Sequence, residues 1–434
     1  MSKKLSVVVA LVGMCALSLL LLSCGSSSSR PSGLLYVLTQ GSNGTGNNVS
    51  SFAIDLNSGN LSLINSNAST CSTANACGLP LDILLDPTGA TAFVLNQGIP
   101  SASVAPTIYG YKINSDGSLG TPTAAVTPTL VPGDIAVAMT RDAGGNFLYV
   151  ITGGNQSLAL APQLLVFSTT PGSTSLTPVS NVVSTLTRVP TALSAITFPV
   201  PNGVNPPCGF TTTEEYLFVT SNNDLSSQHD DNTVSVYCVD SSGNLTDLTP
   251  NPPHATATDP ISVLAVNTNR AGQSSGGGVF VYVGSQSENA GALNVFQMCT
   301  VPIANCTSPD VTSGRLVPVV TQPPSPGADP VAMLVDPTNN FLYVVCYGSN
   351  QVFGYGITSA TGTLTLLNPP NQPTGSQPVA LAMHPSVNST GQFLYVSNST
   401  SSSITGFTLS TTSGSMSSLI TVTSPAGPSG MAAR

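Results

Sequence analysis

Charge is what this sequence has least of. Acidic and basic residues together make up 6% of its 434 residues, against roughly 25% in ordinary soluble domains. Basic residues number nine, and two of them, Lys3 and Lys4, stand at the extreme N-terminus. The other seven, Arg30, Lys112, Arg141, Arg188, Arg270, Arg315 and Arg434, are scattered singly. Phosphate backbones and anionic lipid surfaces need clustered Lys and Arg, so nucleic acid is excluded as a partner and a charged membrane face with it. With the two N-terminal lysines set aside, 18 acidic residues against seven basic ones leave a net charge of −11. Low charge here does not mean disorder, because the hydrophobic fraction is 41% and disorder goes with low hydrophobicity. There are three histidines and no Cys-x-x-Cys, so no zinc pattern exists. The Asp-x-Asn-x-Asp-Gly spacing of an EF-hand is also missing.

What the chain has instead is Gly (40), Pro (35) and a repeat. At seven places spaced along the chain a proline is followed three residues later by an aliphatic or Met residue on a short apolar run: Pro80/Ile83, Pro132/Ile135, Pro190/Leu193, Pro260/Val263, Pro330/Met333, Pro378/Leu381 and Pro428/Met431. After six of these come a turn and a second apolar run with an aromatic: Phe93, Tyr149, Phe218, Tyr282, Tyr343 and Tyr395. The seventh proline stands near the C-terminus, and its aromatic run is found at the N-terminus as Leu34-Leu35-Tyr36-Val37. A repeat split between the two ends closes a ring and leaves no open sheet edge. The pattern predicts an all-β, seven-bladed β-propeller with four-stranded antiparallel blades and one blade shared between the termini.

Residues 330–367 serve as the type repeat. Pro330 to Val335 is the innermost strand, apolar on both faces because neighbouring blades cover both. Asp336-Pro337-Thr338-Asn339-Asn340 turns into a second strand, Phe341 to Cys346. A third strand, Val352 to Ile357, leads through Gly362-Thr363-Leu364 to the outer strand. The same Gly-x-Leu turn recurs at Gly59, Gly117, Gly243 and Gly314, and with Met at Gly414. The short, similar turns fall on one face of the ring. The long, variable connections fall on the other, and that variable face is where a ligand site is expected.

The N-terminus reads as an address. Lys3-Lys4, an apolar stretch from Leu5 to Leu22 and a small residue before Cys24 form a secretory signal. Leu21-Leu22-Ser23-Cys24 resembles the bacterial lipobox, which implies an acylated Cys24 at the head of the mature chain. The boundaries expected are a signal peptide over 1–23, a Gly/Ser-rich tether over 24–33 and the propeller over 34–434. The protein would then sit in the cell envelope, extracytoplasmic, touching the membrane through its lipid anchor alone. In that compartment Cys71 with Cys77 and Cys299 with Cys306 are expected as loop staples, and Cys208 with Cys238 as a third bridge. Cys346, after an apolar strand, is expected to stay a buried free thiol.

Asp86-Pro87-Thr88-Gly89 with Phe93, and Asp336-Pro337 with Phe341-Leu342-Tyr343-Val344, resemble the lactonase-type seven-bladed propellers. Bacterial 6-phosphogluconolactonase and the fungal-type muconate cycloisomerase belong to that family. The resemblance implies the same fold over about 34–434. It also implies His and Arg after the inner-strand proline in some blades, and a Glu after the second-strand Asn in another. Here the residues after the seven prolines are Leu81, Gly133, Thr191, Ile261, Val331, Val379 and Ser429. The second strands run into Asn96-Gln97, Asn222-Asn223 and Asn398-Ser399. Lactone hydrolysis needs a general base and a donor or cation for the developing oxyanion, and neither set stands where the family keeps it. The expected role is therefore a monomeric binding or scaffold module for a protein, glycan or small molecule. Lactone hydrolysis is the alternative, and Arg188 and Arg270 converging with a carboxylate on the channel would favour it.

A few polar residues remain as candidates. Asp82 and Asp134 each follow an inner-strand proline by two positions, and two carboxylates at a channel mouth could hold a ligand. Asp259 and Asp329 directly precede their prolines at the same end. Asp224, Asp230 and Asp231, with His229, make the most polar connection of the variable face and are the place for calcium. No other cofactor is required. Glu214 and Glu215 open a second strand and are expected to face solvent, as is His254 in its Pro-rich stretch. His384 sits in a turn with a structural role. The three histidines have no evident partners for a Ser-His-Asp set.

Overall fold

The computed structural model describes residues 31–40, 47–71, 77–125, 130–199, 208, 213–224, 230–250, 253–269, 277–286, 290–299, 315–319, 323–384 and 392–434. These form seven antiparallel sheets in a ring. Blades 1 to 7 are numbered from their innermost strands: Pro80–Leu85, Ala136–Arg141, Arg188–Pro199, Pro260–Asn267, Pro330–Val335, Pro378–Met383 and Pro428–Ala433. Each inner strand neighbours the next, and the seventh neighbours the first, which closes the circle around a central channel. Among the described residues no helix is long and apolar enough to cross a membrane.

Closure follows the expected route. Gly33–Thr39 pairs with Asn48–Ile54 on one side and with Pro428–Ala433 on the other. Leu34 and Arg434 exchange both backbone hydrogen bonds at 2.9 Å. The first strand is wholly buried, so the C-terminal strand covers an apolar edge that would otherwise invite pairing with another chain. Blade 3 departs from the type repeat. Its third strand, Asp230–Val239, pairs with two short outer pieces, Leu245–Asp247 and His254–Ala255.

The apolar side chains gather into seven clusters, one at each junction between blades. Second-strand residues alternate between the two neighbouring junctions, as side chains on a strand must. At four junctions the second-strand tyrosine also makes a polar latch. Its hydroxyl donates to the carbonyl of the Gly-x-Leu glycine in the next blade: Tyr36 to Gly117 at 2.8 Å, Tyr282 to Gly362 at 3.0 Å, Tyr343 to Gly414 at 2.7 Å and Tyr395 to Gly59 at 2.7 Å. Gly414 has φ +69°, and a Cβ there would collide with the ring of Phe341. Its backbone conformation and the ring packed on it both call for glycine. The recurring glycine is therefore a docking point for the preceding blade as well as a turn.

One expectation about the repeat fails. Blade 2 does not begin at Pro132, because its inner strand starts at Ala136, which pairs with Thr152 as Pro80 pairs with Asn96 in blade 1. The register shift after Ala136 matches the shift after Pro80, and Gly153 donates to Ile135 as Gln97 donates to Leu79. Blade 2 is thus aligned four residues later than its proline suggests. Asp134 lies before the strand, and the true counterpart of Asp82 is Ala138.

Candidate functional site

The described variable face gives the predicted aspartates definite partners. Asp82 accepts from the Ile83 N–H at 2.8 Å and from the Met139 N–H of blade 2. Burial pushes its carboxyl up to about 6, against the pull of those two donors. Asp134 is 2% exposed and accepts from the Ile135 N–H at 2.7 Å. Burial raises its carboxyl as well, opposed by Thr152 and by the N–H groups of Ile135 and Gly154. The two aspartates meet different partners and occupy different places in their blades.

Asp259 and Asp329 share a backbone role. Both have left-handed φ, +51° and +56°, as does Gln377 at the same place in blade 6. Their carbonyls accept from Gln286 and Tyr347, the residues just past their second strands. Asp224 and Asp230 are placed by register, opposite Arg188 and Asn223 respectively. Asp231 accepts from the Arg188 guanidinium at 2.6 Å. Among the described residues no group of three or more His, Cys, Asp and Glu is placed to hold a metal ion. Arg188 is thus engaged with Asp231, while Arg270 and His229 lie outside the described residues.

Two disulfides are formed as expected, Cys71–Cys77 and Cys208–Cys238. Cys299 is also disulfide-bonded, while Cys306 and Cys24 lie outside the described residues. Cys346 is a buried free thiol, its ionisation pushed up to about 12, first by burial.

A concavity of about 730 Å³ lies on the variable face between blades 5 and 6. Seven of its lining side chains carry hydroxyls, Asn350 adds an amide, and none is charged. Its floor is organised by Asn398, whose Nδ2 donates to the Ser403 hydroxyl at 3.1 Å and the Thr405 hydroxyl at 3.0 Å. Ser401 and Ser403 are linked at 2.9 Å, and the Ser376 N–H donates to Ser401 at 3.1 Å. The Asn398 Oδ1 is buried without a partner. The sequence shows this Ser/Thr density but gives no sign that three connections fold it around one groove.

Two expectations are overturned. Glu214 and Glu215 do not face solvent: they are 4% and 7% exposed. The wide second strand of blade 3, Thr213–Asp224, is covered on both faces by blades 2 and 4, so both alternating positions are buried. Glu214 accepts from the Tyr216 hydroxyl at 2.8 Å, and burial raises its carboxyl. Glu215 is pushed up to about 8, first by burial and then by the negative charge of Asp142, against the nearby Tyr149 hydroxyl. His254 is not exposed either. Its Nε2 accepts from the Leu316 N–H at 3.2 Å, and burial, with the Arg315 charge, depresses it to about 4. His384 is buried at 3% exposure, in keeping with a structural place. On the short-turn face, Arg141 lines a channel-mouth cavity of about 420 Å³ with Asp142, Asn267 and Asn339. Gly272-Gln273-Ser274-Ser275-Gly276 has the spacing of a nucleophile elbow and lies outside the described residues.

Residues 310–432 match the family described as Lactonase, 7-bladed beta-propeller. The seven-bladed fold is similar to that of the lactonase-type propellers. The periplasmic gluconolactonase of Pseudomonas aeruginosa superposes with a TM-score of 0.60 at 17% identity, over 92% of this chain and 98% of that one. A putative 6-phosphogluconolactonase from Bacteroides fragilis gives 0.58 at 14%, over 94% and 99%. A protein from Lactobacillus plantarum gives 0.62 at 14%, over 93% and 99%. No curated protein matches the chain in sequence. At these identities the likeness speaks for the architecture alone, and the chemistry rests on the site.

Proposed function

We propose that this lactonase-type propeller is an exported, lipid-anchored binding module whose variable face holds a neutral, hydroxyl-rich ligand, a glycan segment. The observation that carries this reading is the 730 Å³ groove between blades 5 and 6, lined by seven hydroxyls and an amide without a charged side chain. Neutral donors and acceptors of that density suit a polyol, whose hydroxyls can each give and accept a hydrogen bond. The disulfides Cys71–Cys77 and Cys208–Cys238 fit an oxidising compartment outside the cytosol. Binding of neutral envelope oligosaccharides, followed by calorimetry, tests the reading. Thr405→Val and Ser418→Ala together should weaken it at least tenfold while the fold persists. Unchanged affinity in the double variant would refute the groove as the site.

A second reading is lactone hydrolysis, and one observation favours it. The Asp82 carboxyl, on an inner strand and pushed up to about 6, is near the value a general base needs at neutral pH. Its two backbone donors already hold it, and the equivalent places in other blades are Ala138, Ala192, Ser262, Ala332, Ala380 and Gly430. Hydrolysis of gluconolactone above the spontaneous rate, scaling with protein and lost in Asp82→Asn, would establish this reading over the first.

A further inference from the structure

The junction between blades 2 and 3 has lost its latch. Phe147 packs on Gly243 of blade 3, an added Cβ there meeting its ring, as Phe341 packs on Gly414. Tyr149 therefore stands where Tyr343 stands, in reach of the next blade's glycine carbonyl by analogy. Yet its hydroxyl is fully buried and makes no well-formed hydrogen bond. Blades 1 and 3 carry Phe93 and Phe218 at this place and have no hydroxyl to offer. Blade 2 is thus the one blade that keeps the tyrosine and does not close the latch among the described residues.

What faces the Tyr149 hydroxyl is Glu215. This carboxyl is 7% exposed, and its Oε1 has no partner. Around it lies a cleft of about 480 Å³ at the short-turn end, lined by Asp142, Asn146, Phe147, Thr197 and Glu214 as well as Glu215. Thr197 is the direct ladder neighbour of Glu215, so their side chains share one face. Asp142 is oriented by the Phe147 N–H, which donates to its Oδ1 at 2.8 Å. Glu214, the adjacent lining residue, accepts from the Tyr216 hydroxyl at 2.8 Å. Arg141 lines the adjoining channel mouth, not this cleft. Its guanidinium donates to the Asp142 carbonyl at 2.9 Å.

We propose that the blade 2–blade 3 cleft binds a small primary ammonium ion, with Glu215 as counter-ion and the Tyr149 hydroxyl supporting that carboxylate from behind. Three features select this ligand. Three acidic residues, Asp142, Glu214 and Glu215, line the cleft, and no basic side chain does. Its volume falls within the range of sites for small organic molecules and well beyond what a bare ion fills. The Phe147 ring among its walls offers an apolar and cation-attracting surface for an alkyl-ammonium. The empty cleft keeps Glu215 protonated at neutral pH, since burial and Asp142 both oppose its charge. On binding, the carboxyl loses its proton to solvent, and the carboxylate pairs with the incoming ammonium. One proton leaves for each ligand bound below about pH 8.

Calorimetry of the purified full-length protein with n-butylammonium, and with n-butanol as the uncharged analogue, tests this. The amine should bind and the alcohol should not. Affinity should rise about tenfold from pH 7 to pH 9 as Glu215 no longer needs to be deprotonated. Repeating the pH 7 titration in buffers of different ionisation heat should show nearly one proton released, a measurement that needs no variant. Glu215→Gln should abolish binding, and Tyr149→Phe should weaken it several-fold. Nα-acetyl-lysine methylamide as a second probe separates the sources. Binding comparable to butylammonium supports a protein lysine, and binding by butylammonium alone supports a free amine. Equal binding of the alcohol, calcium binding that depends on Glu215 and displaces the amine, unchanged affinity in Glu215→Gln, or no binding by any probe would each overturn the proposal. The hydroxyl groove between blades 5 and 6 plays no part in these outcomes.

Discussion

Removing one oxygen atom from each of five tyrosines should give two different results, and the latch explains why. Tyr36, Tyr282, Tyr343 and Tyr395 each donate across a blade junction to a glycine carbonyl. In a Phe variant that hydrogen bond is lost, a net loss of about 1 kcal/mol, and the buried carbonyl left unpaired raises the total to about 1–3 kcal/mol. Tyr149 is as deeply buried, but its hydroxyl satisfies no carbonyl. Its one polar neighbour is the Glu215 carboxyl, so Tyr149→Phe strips no carbonyl of its donor and should cost clearly less than the other four while that carboxyl is protonated. The comparison belongs at pH 6, where Glu215 is protonated, with disulfides intact and urea midpoints read under identical conditions. A second set at pH 9 adds a contrast. The Tyr149 hydroxyl favours the ionised form of Glu215, so its removal should become costly once that carboxyl must ionise. Five equal losses at pH 6 would refute the reasoning, because they would mean that Tyr149 is latched like the others.

Three further outcomes follow from the same structure. Glu215 is held at about 8 in the folded chain against 4.5 for the free group. Its stabilising contribution is full below pH 4.5 and is lost as pH rises towards 8, by about 2 kcal/mol between pH 6.5 and 8. His254 at about 4 and Asp82 at about 6 act below this window, so Glu215→Gln should flatten the unfolding midpoint across pH 6.5–8.5, and parallel curves for variant and parent would contradict it. Deleting Pro428 to Arg434 strips the cover from a fully buried strand and should cost a large share of a folding free energy of about 5–15 kcal/mol; an unchanged midpoint would argue against ring closure as the source of stability. Cys24→Ala should release the protein from the membrane fraction or stall its maturation, and normal membrane retention would remove the lipid anchor from the account.

The architecture was legible because propeller repeats obey local rules that one sequence displays. Proline heads an inner strand where no ladder donor is needed, and glycine stands where a side chain would strike the next blade. The closure could be read from a single displaced run, Leu34 to Val37. Blade 2 shows the limit. Pro132 has the right neighbours in sequence, but the chain makes an extra turn at Gly133, with φ +88°, before the strand begins at Ala136. Only hydrogen-bond register reveals that slip, and with it goes the apparent equivalence of Asp82 and Asp134.

The sites were less legible for a different reason. A polar residue at a strand end reads as exposed when the neighbouring blade is out of view, and this hid Glu214, Glu215 and His254. The deciding partners lie far away in sequence: Tyr149 for Glu215, Arg315 and Leu316 for His254. A buried carboxyl in a repeat protein is better recognised by what its position does elsewhere in the ring. Where four junctions spend their tyrosine on a glycine carbonyl, the fifth tyrosine faces an acid instead. Structure alone does not require that exchange, since the same glycine turn is present at Gly243 and the same aromatic packs upon it. A junction that keeps every part of the latch but leaves it open, beside a cleft and an unpaired buried oxygen, has given up stability that its neighbours retain. Such local losses in an otherwise regular repeat are where function is expected to have been built.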